Sequence, residues 1–302
     1  MSLPHVAPYQ LPTEAGLPSN MLQWTVQPQR AVLLVHDMQR YFVNVFKPDT
    51  EPIRTVVPNI ARLCQTARAH GVPIVFSAQP GDQSPQDRGL LLDLWGPGIR
   101  AVPEHEEVIA ELTPNATDVR LTTWRYSTFQ RTRLRAMLAE WGRDQLIVSG
   151  VYAHLGCLLT AGEAFMQDVR PFLVADAVAD FSLVEHMMAL RFTALRCGVV
   201  LSTDRLVEQL SGSRPEGDLM AEGKATGELS LDRIRADVAE TLGVPQDEIS
   251  DDDDLIGCGL DSIRIMHLVE KWQALGTNTT FIQLAEAPTI SNWHRLLSGP
   301  CR

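Results

Sequence analysis

The hydrophobic positions of this chain fall into two patterns. Unbroken apolar runs occur at residues 31–36 (AVLLVH), 73–77 (PIVFS), 145–149 (QLIVS) and 171–175 (PFLVA). Runs without polar alternation suit strands covered on both faces, and so a parallel sheet. Between them, residues 56–69, 133–141, 158–166 and 184–195 repeat apolar positions at helical spacing. The alternation predicts an α/β fold, a doubly wound parallel sheet with right-handed crossovers. Ligands of such sheets bind beyond the carboxyl ends of the strands. Asp37, directly after the first run, is therefore a candidate for chemistry.

The pattern changes at residues 211–226 (SGSRPEGDLMAEGKAT), which are small, polar and aperiodic, as in a linker. Beyond them Leu231, Ile234, Val238 and Leu242 form one helical stripe, with Ser230 placed to cap its start and Gly243 just past its end. A second helix is predicted to begin near Ser262. Its Ile265, Leu268, Val269 and Trp272 share a face, which leaves Ile263 and Met266 turned toward a partner. Residues 281–297 hold one or two further helices. The predicted organisation is an α/β domain over 1–210, a linker over 211–226 and a small four-helix bundle over 227–302.

Charge sharpens this division. The chain of 302 residues carries a net −11, which argues against nucleic acid as a partner. From residue 227 onward 13 acids face 6 bases, so the rear module holds −7 of that total and suits basic docking surfaces as well as a merely solvated face. No apolar run is long enough for a membrane span, and the opening residues lack the pattern of an export signal. Five cysteines without a CxxC or a Cys/His cluster argue against a disulfide framework and a structural metal, and fit a reducing cytoplasm.

The rear module carries the string Gly259-Leu260-Asp261-Ser262-Ile263 behind the acidic run 251–254. A serine at a helix start can serve as a cap, and the same place accommodates a phosphodiester. String, acidic run and bundle together resemble the aryl carrier domains of nonribosomal peptide assembly. The resemblance implies 4′-phosphopantetheine on Ser262, with Asp261 in the recognition motif. It also implies a phosphopantetheinyl transferase, an aryl-acid adenylation enzyme and a downstream condensation domain as partners.

The front domain's motifs are HDMQRYF (36–42), AQPGDQ (78–83), DLWGPG (93–98), WRYSTF (124–129) and SGVYAHLGC (149–157). Together they resemble the isochorismatase family of the cysteine-hydrolase-like α/β fold. Isochorismatase followed by aryl carrier is the order found in bifunctional proteins that build catecholate siderophores of the enterobactin and vibriobactin type. The resemblance implies isochorismate as substrate, cleaved at its vinyl ether to pyruvate and a dihydroxy-dihydrobenzoate. Asp37 would be the proton donor, held neutral in a poorly solvated site. Gln79, Arg88, Trp95 and Tyr152 would line the pocket. Gly156 stands where related amidases carry a nucleophilic cysteine, and Cys157 is read as a packing residue rather than an acylated thiol. Homo-oligomers through the hydrolase domain are common in the family.

One departure stands out. The family shows a catalytic lysine immediately before the WRYS string, and this chain has Thr123. Lys47 and Arg125 are the cations that could take its place. Arg40 also stands where the family has an acidic or polar residue. Two functions remain open on the sequence: a bifunctional hydrolase and carrier, or a carrier and docking protein whose hydrolase domain is inactive.

Overall fold

The first apolar run forms strand β1 (Ala31–His36), every residue of it buried. Five strands follow: β2 (Ile74–Ala78), β3 (Val119–Thr122), β4 (Gln145–Val151), β5 (Arg170–Ala179) and β6 (Val199–Leu201). All pair in parallel, in the order β3-β2-β1-β4-β5-β6. The structure is a computed structural model that describes residues 3–212, 230–242, 244–246, 249–260, 262–273, 277 and 279–297. By its internal contacts the chain divides into two compact units, Met1–Pro215 and Glu216–Arg302.

Helices α1 (Ile53–Ala69), α2 (Leu134–Glu140), α3 (Leu158–Met166), α4 (Leu183–Phe192) and α5 (Thr203–Ser211) cover the sheet. Alternate residues of β1 feed two separate cores, as the two-residue period of a strand requires. Leu33 and Val35 pack with Ile60 and Leu63 of α1 and Leu206 of α5. Val32 and Leu34 pack with Leu138 of α2, Ala164 of α3 and Leu190 of α4. With both faces covered, the middle strands have no polar face to show, which is why their sequences read as unbroken apolar runs.

Two strands lay below the sequence pattern. β3 is a four-residue edge strand with every second residue exposed, and β6 has only three residues. The helix anticipated over 184–195 ends at Phe192 and passes into a wider π-helical turn, Thr193–Cys197.

In the rear unit, α6 (Leu231–Leu242), α7 (Ser262–Gln273), α8 (Phe281–Glu286) and α9 (Ile290–Leu297) enclose a core of their own. Ile265, Leu268, Val269 and Trp272 of α7 are buried in it, whereas Met266 is exposed. Trp272 Nε1 donates to the buried Asp237 at 2.8 Å, and Thr280 starts α8 with a reciprocal capping box to Gln283. Asp261, Gly243, residues 213–226 of the anticipated linker and residues 227–229 lie outside the described residues, as does the side chain of Ile263; Ser211 and Gly212 belong to α5 and its cap.

Candidate active site

The sheet order sets the location. The chain runs outward from β1 to β2 and β3, then returns to lay β4 on the other side of β1. The carboxyl ends of β1 and β4 are thus the point where strand order reverses and a crevice opens. His36 and Asp37 leave the tip of β1, and Gly150 to Tyr152 form the tip of β4. The two tips touch: a Cβ on Gly150 would lie 2.0 Å from the His36 carbonyl oxygen, so that position requires glycine.

A cavity of about 550 Å³ occupies this crevice. Its lining brings together Asp37, Gln79, Trp95, Tyr152 and Gly156, which the sequence had placed in four separate motifs, and Arg88 from the stretch between two of them. His36, Tyr41, Phe42, Tyr126 and Phe181 also line it. The stretch before β1 also contributes. Leu3 reaches the cavity, Val6 bridges to Phe46, and the Tyr9 hydroxyl accepts from the Asp180 amide at 2.8 Å and meets His186 Nδ1 at 3.0 Å.

Asp37 is 5% exposed and sits in the left-handed region, at φ 49°. Aspartate tolerates that region better than most residues, and the turn aims its carboxyl along the cavity floor. It caps no helix, because Gln39 precedes the short turn Arg40–Val43. Its Oδ2 accepts from Gln79 Nε2 at 2.9 Å, and its Oδ1 lies 3.1 Å from Ser77 Oγ and 3.4 Å from Thr123 Oγ1. Gln79 in turn accepts from Arg88 NH1 at 3.1 Å, so the amide couples guanidinium to carboxyl without direct contact. Arg88 is itself buried, and burial lowers its pKa from the usual value; it remains a cation.

The residues proposed as replacement cations are elsewhere. Lys47 is exposed, and Arg125 NH1 donates to the carbonyls of Asp87 and Trp124. Arg40 pairs with Glu107 at the surface, 2.9 Å apart. Thr123 is fully buried behind Asp37 and supplies a hydroxyl only. Among the described residues, Asp37 has only uncharged hydrogen-bond partners.

Gly156 lies against the His36 ring: a Cβ there would fall 1.8 Å from His36 Nε2. The imidazole therefore fills the space a nucleophilic side chain at 156 would need. Cys157, one residue on, is fully buried, and burial holds its thiol well above the usual range. Such a sulfur is a packing group, not a thiolate. The remaining walls are aromatic. Tyr152 stacks on Phe181 with ring centres 4.1 Å apart, its hydroxyl donating to the Phe42 carbonyl at 2.8 Å, and Trp95 Nε1 donates to the Tyr126 hydroxyl. His154, Asp180 and Glu185 cluster nearby, but His154 donates to Asp180 through both its Nδ1 and its backbone amide, and Glu185 accepts from Ser182.

His36, Ser77, Tyr126 and Phe181 were not singled out from sequence. His36 and Tyr126 lie inside quoted motifs, so a signal existed. Ser77 is the next-to-last residue of β2 and Phe181 follows β5, the positions where a strand meets the crevice.

In the rear unit the backbone of Ser262 opens α7, and of its helix neighbours Arg264 and Met266 are exposed. Residues 256–259 before it are exposed between the buried anchors Leu255 and Leu260, and Gly259 has φ +100°. An exposed approach to the start of a twelve-residue helix fits attachment of a phosphodiester-linked arm.

Comparison with known proteins agrees with this geometry. Residues 31–205 match the Isochorismatase domain, and residues 232–297 match the family described as Phosphopantetheine attachment site. The chain is 47% identical to the protein named Isochorismatase of Bacillus subtilis (strain 168) over 99% of its own length and 96% of that protein's. It is 43% identical to Enterobactin synthase component B of Escherichia coli (strain K12), covering 99% of each. A cysteine hydrolase from Pseudomonas syringae pv. phaseolicola 1448A superposes at a TM-score of 0.59, with 24% identity over 65% of this chain and 99% of that one, and so shares the fold. The chain belongs to the isochorismatase family and carries a phosphopantetheine-attachment domain behind its hydrolase domain.

Proposed function

We propose that residues 1–210 hydrolyse isochorismate to pyruvate and 2,3-dihydro-2,3-dihydroxybenzoate, and that residues 227–302 carry an aryl acid as a thioester for nonribosomal siderophore synthesis. The observation that carries the hydrolase reading is a buried carboxyl on the cavity floor beside a nucleophile slot filled by an imidazole. That arrangement suits general-acid chemistry and not acyl transfer.

In this reading Asp37 enters the cycle protonated. Thr123 and Ser77 permit this, because a hydroxyl can accept the carboxyl proton as readily as donate to the carboxylate, which an ammonium cannot do. The proton passes to the methylene carbon of the enolpyruvyl group, and the ether carbon becomes an oxocarbenium ion. Water adds to that carbon and returns its proton to Asp37. The hemiketal then breaks its bond to the ether oxygen carried by the ring, the proton of its hydroxyl passes to that oxygen, and pyruvate and the diol are released. Gln79, Ser77 and Thr123 stand as donors to the carboxylate formed in the first step, where they stabilise the charge that develops. Arg88 pairs with a substrate carboxylate, and Trp95, Tyr152 and Phe181 enclose the ring and exclude water.

Ser262 is the attachment point for 4′-phosphopantetheine, whose terminal thiol supplies the acyl-carrying sulfur when bound. The exposed Met266 and the neighbouring Ile263 and Asp261 offer the docking face for a phosphopantetheinyl transferase, an adenylation enzyme and a condensation domain. The protein works in the cytoplasm, with the hydrolase domains self-associated; among the described residues no helix is long and apolar enough to cross a membrane.

Pyruvate release from isochorismate, followed with lactate dehydrogenase, tests the hydrolase. That no cation contacts Asp37 among the described residues favours the second reading, a carrier whose front unit is inert. No pyruvate from the wild type, with turnover appearing in Thr123→Lys, would establish that alternative. The carrier half is tested separately, by a mass gain of one phosphopantetheine from coenzyme A that Ser262→Ala abolishes.

A further inference from the structure

His36 lies outside the chemistry above, yet it is walled in by it. The ring is 1% exposed, lines the cavity, and rests on Gly156. Its Nδ1 is 2.8 Å from Ser77 Oγ and 3.0 Å from Thr128 Oγ1, while its Nε2 is 3.6 Å from Asp37 Oδ2.

One arrangement of the hydroxyl protons places the imidazole proton on Nε2. Thr160 Oγ1 donates to Thr128 Oγ1 at 3.3 Å, so Thr128 has its own proton free for His36 Nδ1. Ser77 then donates to Asp37 Oδ1. In this arrangement Ser77, Thr128 and Thr160 each donate to an acceptor, and the imidazole proton stands on Nε2. Burial lowers the His36 pKa, against the opposing pull of Asp37, so the ring is neutral.

We propose that His36 is a positioning residue for the general acid: its Nε2–H is held beside Asp37 Oδ2 and closes on the carboxylate as the proton leaves. A neutral donor thus strengthens the acid in the transition state where, among the described residues, no cation contacts Asp37. The inference rests on the hydrolase reading above. Besides Asp37, the titratable groups around the ring are Tyr41, Arg88, Tyr126 and Tyr152 on the cavity wall and Cys157 beyond Gly156. Burial raises the pKa values of Tyr41, Tyr152 and Cys157, which keeps them protonated across the neutral range.

The test compares the full-length wild type with His36→Gln and His36→Asn on isochorismate, across roughly pH 6–9. Glutamine can place an amide N–H near the Nε2 position; asparagine reaches only as far as Nδ1. The expected result is a fall in kcat on the order of 10²-fold for asparagine, the scale of one lost anion donor, with KM little changed. The alkaline limb of its pH–rate profile moves upward, because a carboxylate without its donor holds its proton longer. Glutamine restores most of the rate and the position of the limb. Equal losses in both variants with an unmoved limb would reduce His36 to a space-filling role and overturn the proposal. Nitrogen chemical shifts of labelled histidine in the wild type decide the matter independently of variant folding: a proton found on Nδ1 overturns it. No pyruvate from the wild type would overturn the hydrolase reading itself, and this inference with it.

Discussion

Replacing Gly156 by alanine tests the packing that separates this site from a thiol hydrolase. The added methyl would fall 1.8 Å from His36 Nε2, 2.4 Å from Cδ2 and 3.0 Å from Cε1. Real carbon contacts begin beyond 3 Å, so the ring must move. It has nowhere easy to go, being buried and hydrogen-bonded to Ser77 and Thr128. Overpacking of this kind costs about 1–3 kcal/mol. For a unit of this size that corresponds to a fall in melting temperature of roughly 2–12 °C, read by calorimetry on the first unit. A further change, His36→Ala, removes the atoms the methyl meets. The double variant should then be more stable than the two single losses predict, by at least about 0.5 kcal/mol. A Gly156→Ala protein that melts with the wild type, or strict additivity in the pair, would refute the claim that the imidazole fills the nucleophile slot.

Asp37→Asn keeps the size of the side chain and removes the transferable proton, so pyruvate release should fall by about 10²–10⁴-fold while loading of the carrier with phosphopantetheine is unchanged. Alkylation at mildly alkaline pH followed by mass spectrometry should label the exposed Cys258 and spare Cys157, whose thiol is buried and its pKa raised; native labelling of Cys157 would contradict the packing role. Burial lowers the pKa values of His36 and His186, so both fold in the neutral form. The stability they contribute is complete above the unfolded value near 6.5 and is lost as pH falls toward their folded values, at up to about 1.4 kcal/mol per pH unit for each. His154 works against them: burial lowers its value, but the Asp180 hydrogen bond and charge raise it further. Denaturant titrations should therefore show the hydrolase unit weakening below about pH 6.5, and His186→Gln should reduce that slope.

Much of this arrangement is readable in the sequence. β1 and β4 are buried on both faces, and their sequences carry that fact as unbroken apolar runs. Asp37, Gln79, Trp95 and Tyr152 were legible because each stands in a motif at a strand end or in a loop beyond one, and Arg88 because it lies between two such motifs. What was not legible were relations between distant segments. Nothing in the order of residues says that Gly156 faces the ring of His36, or that Arg88 reaches Asp37 through Gln79. The direction of Arg125 was equally hidden, since a long side chain among loop carbonyls can turn several ways. β3 and β6 escaped because three or four residues at a sheet margin carry too little periodicity to distinguish them from a turn. In α7 the buried stripe from Ile265 to Trp272 was clear at once, because a two-layer helical bundle has one apolar face per helix.

The first ten or so residues of the chain have a practical bearing. Because Leu3 lines the cavity and the Tyr9 hydroxyl supplies the acceptor for the Asp180 amide, a hydrolase trimmed of its first ten residues would keep every strand pairing yet admit bulk water beside the substrate. Weak turnover by such a shortened protein would then report a breached wall, and would say nothing against the acid at the end of β1.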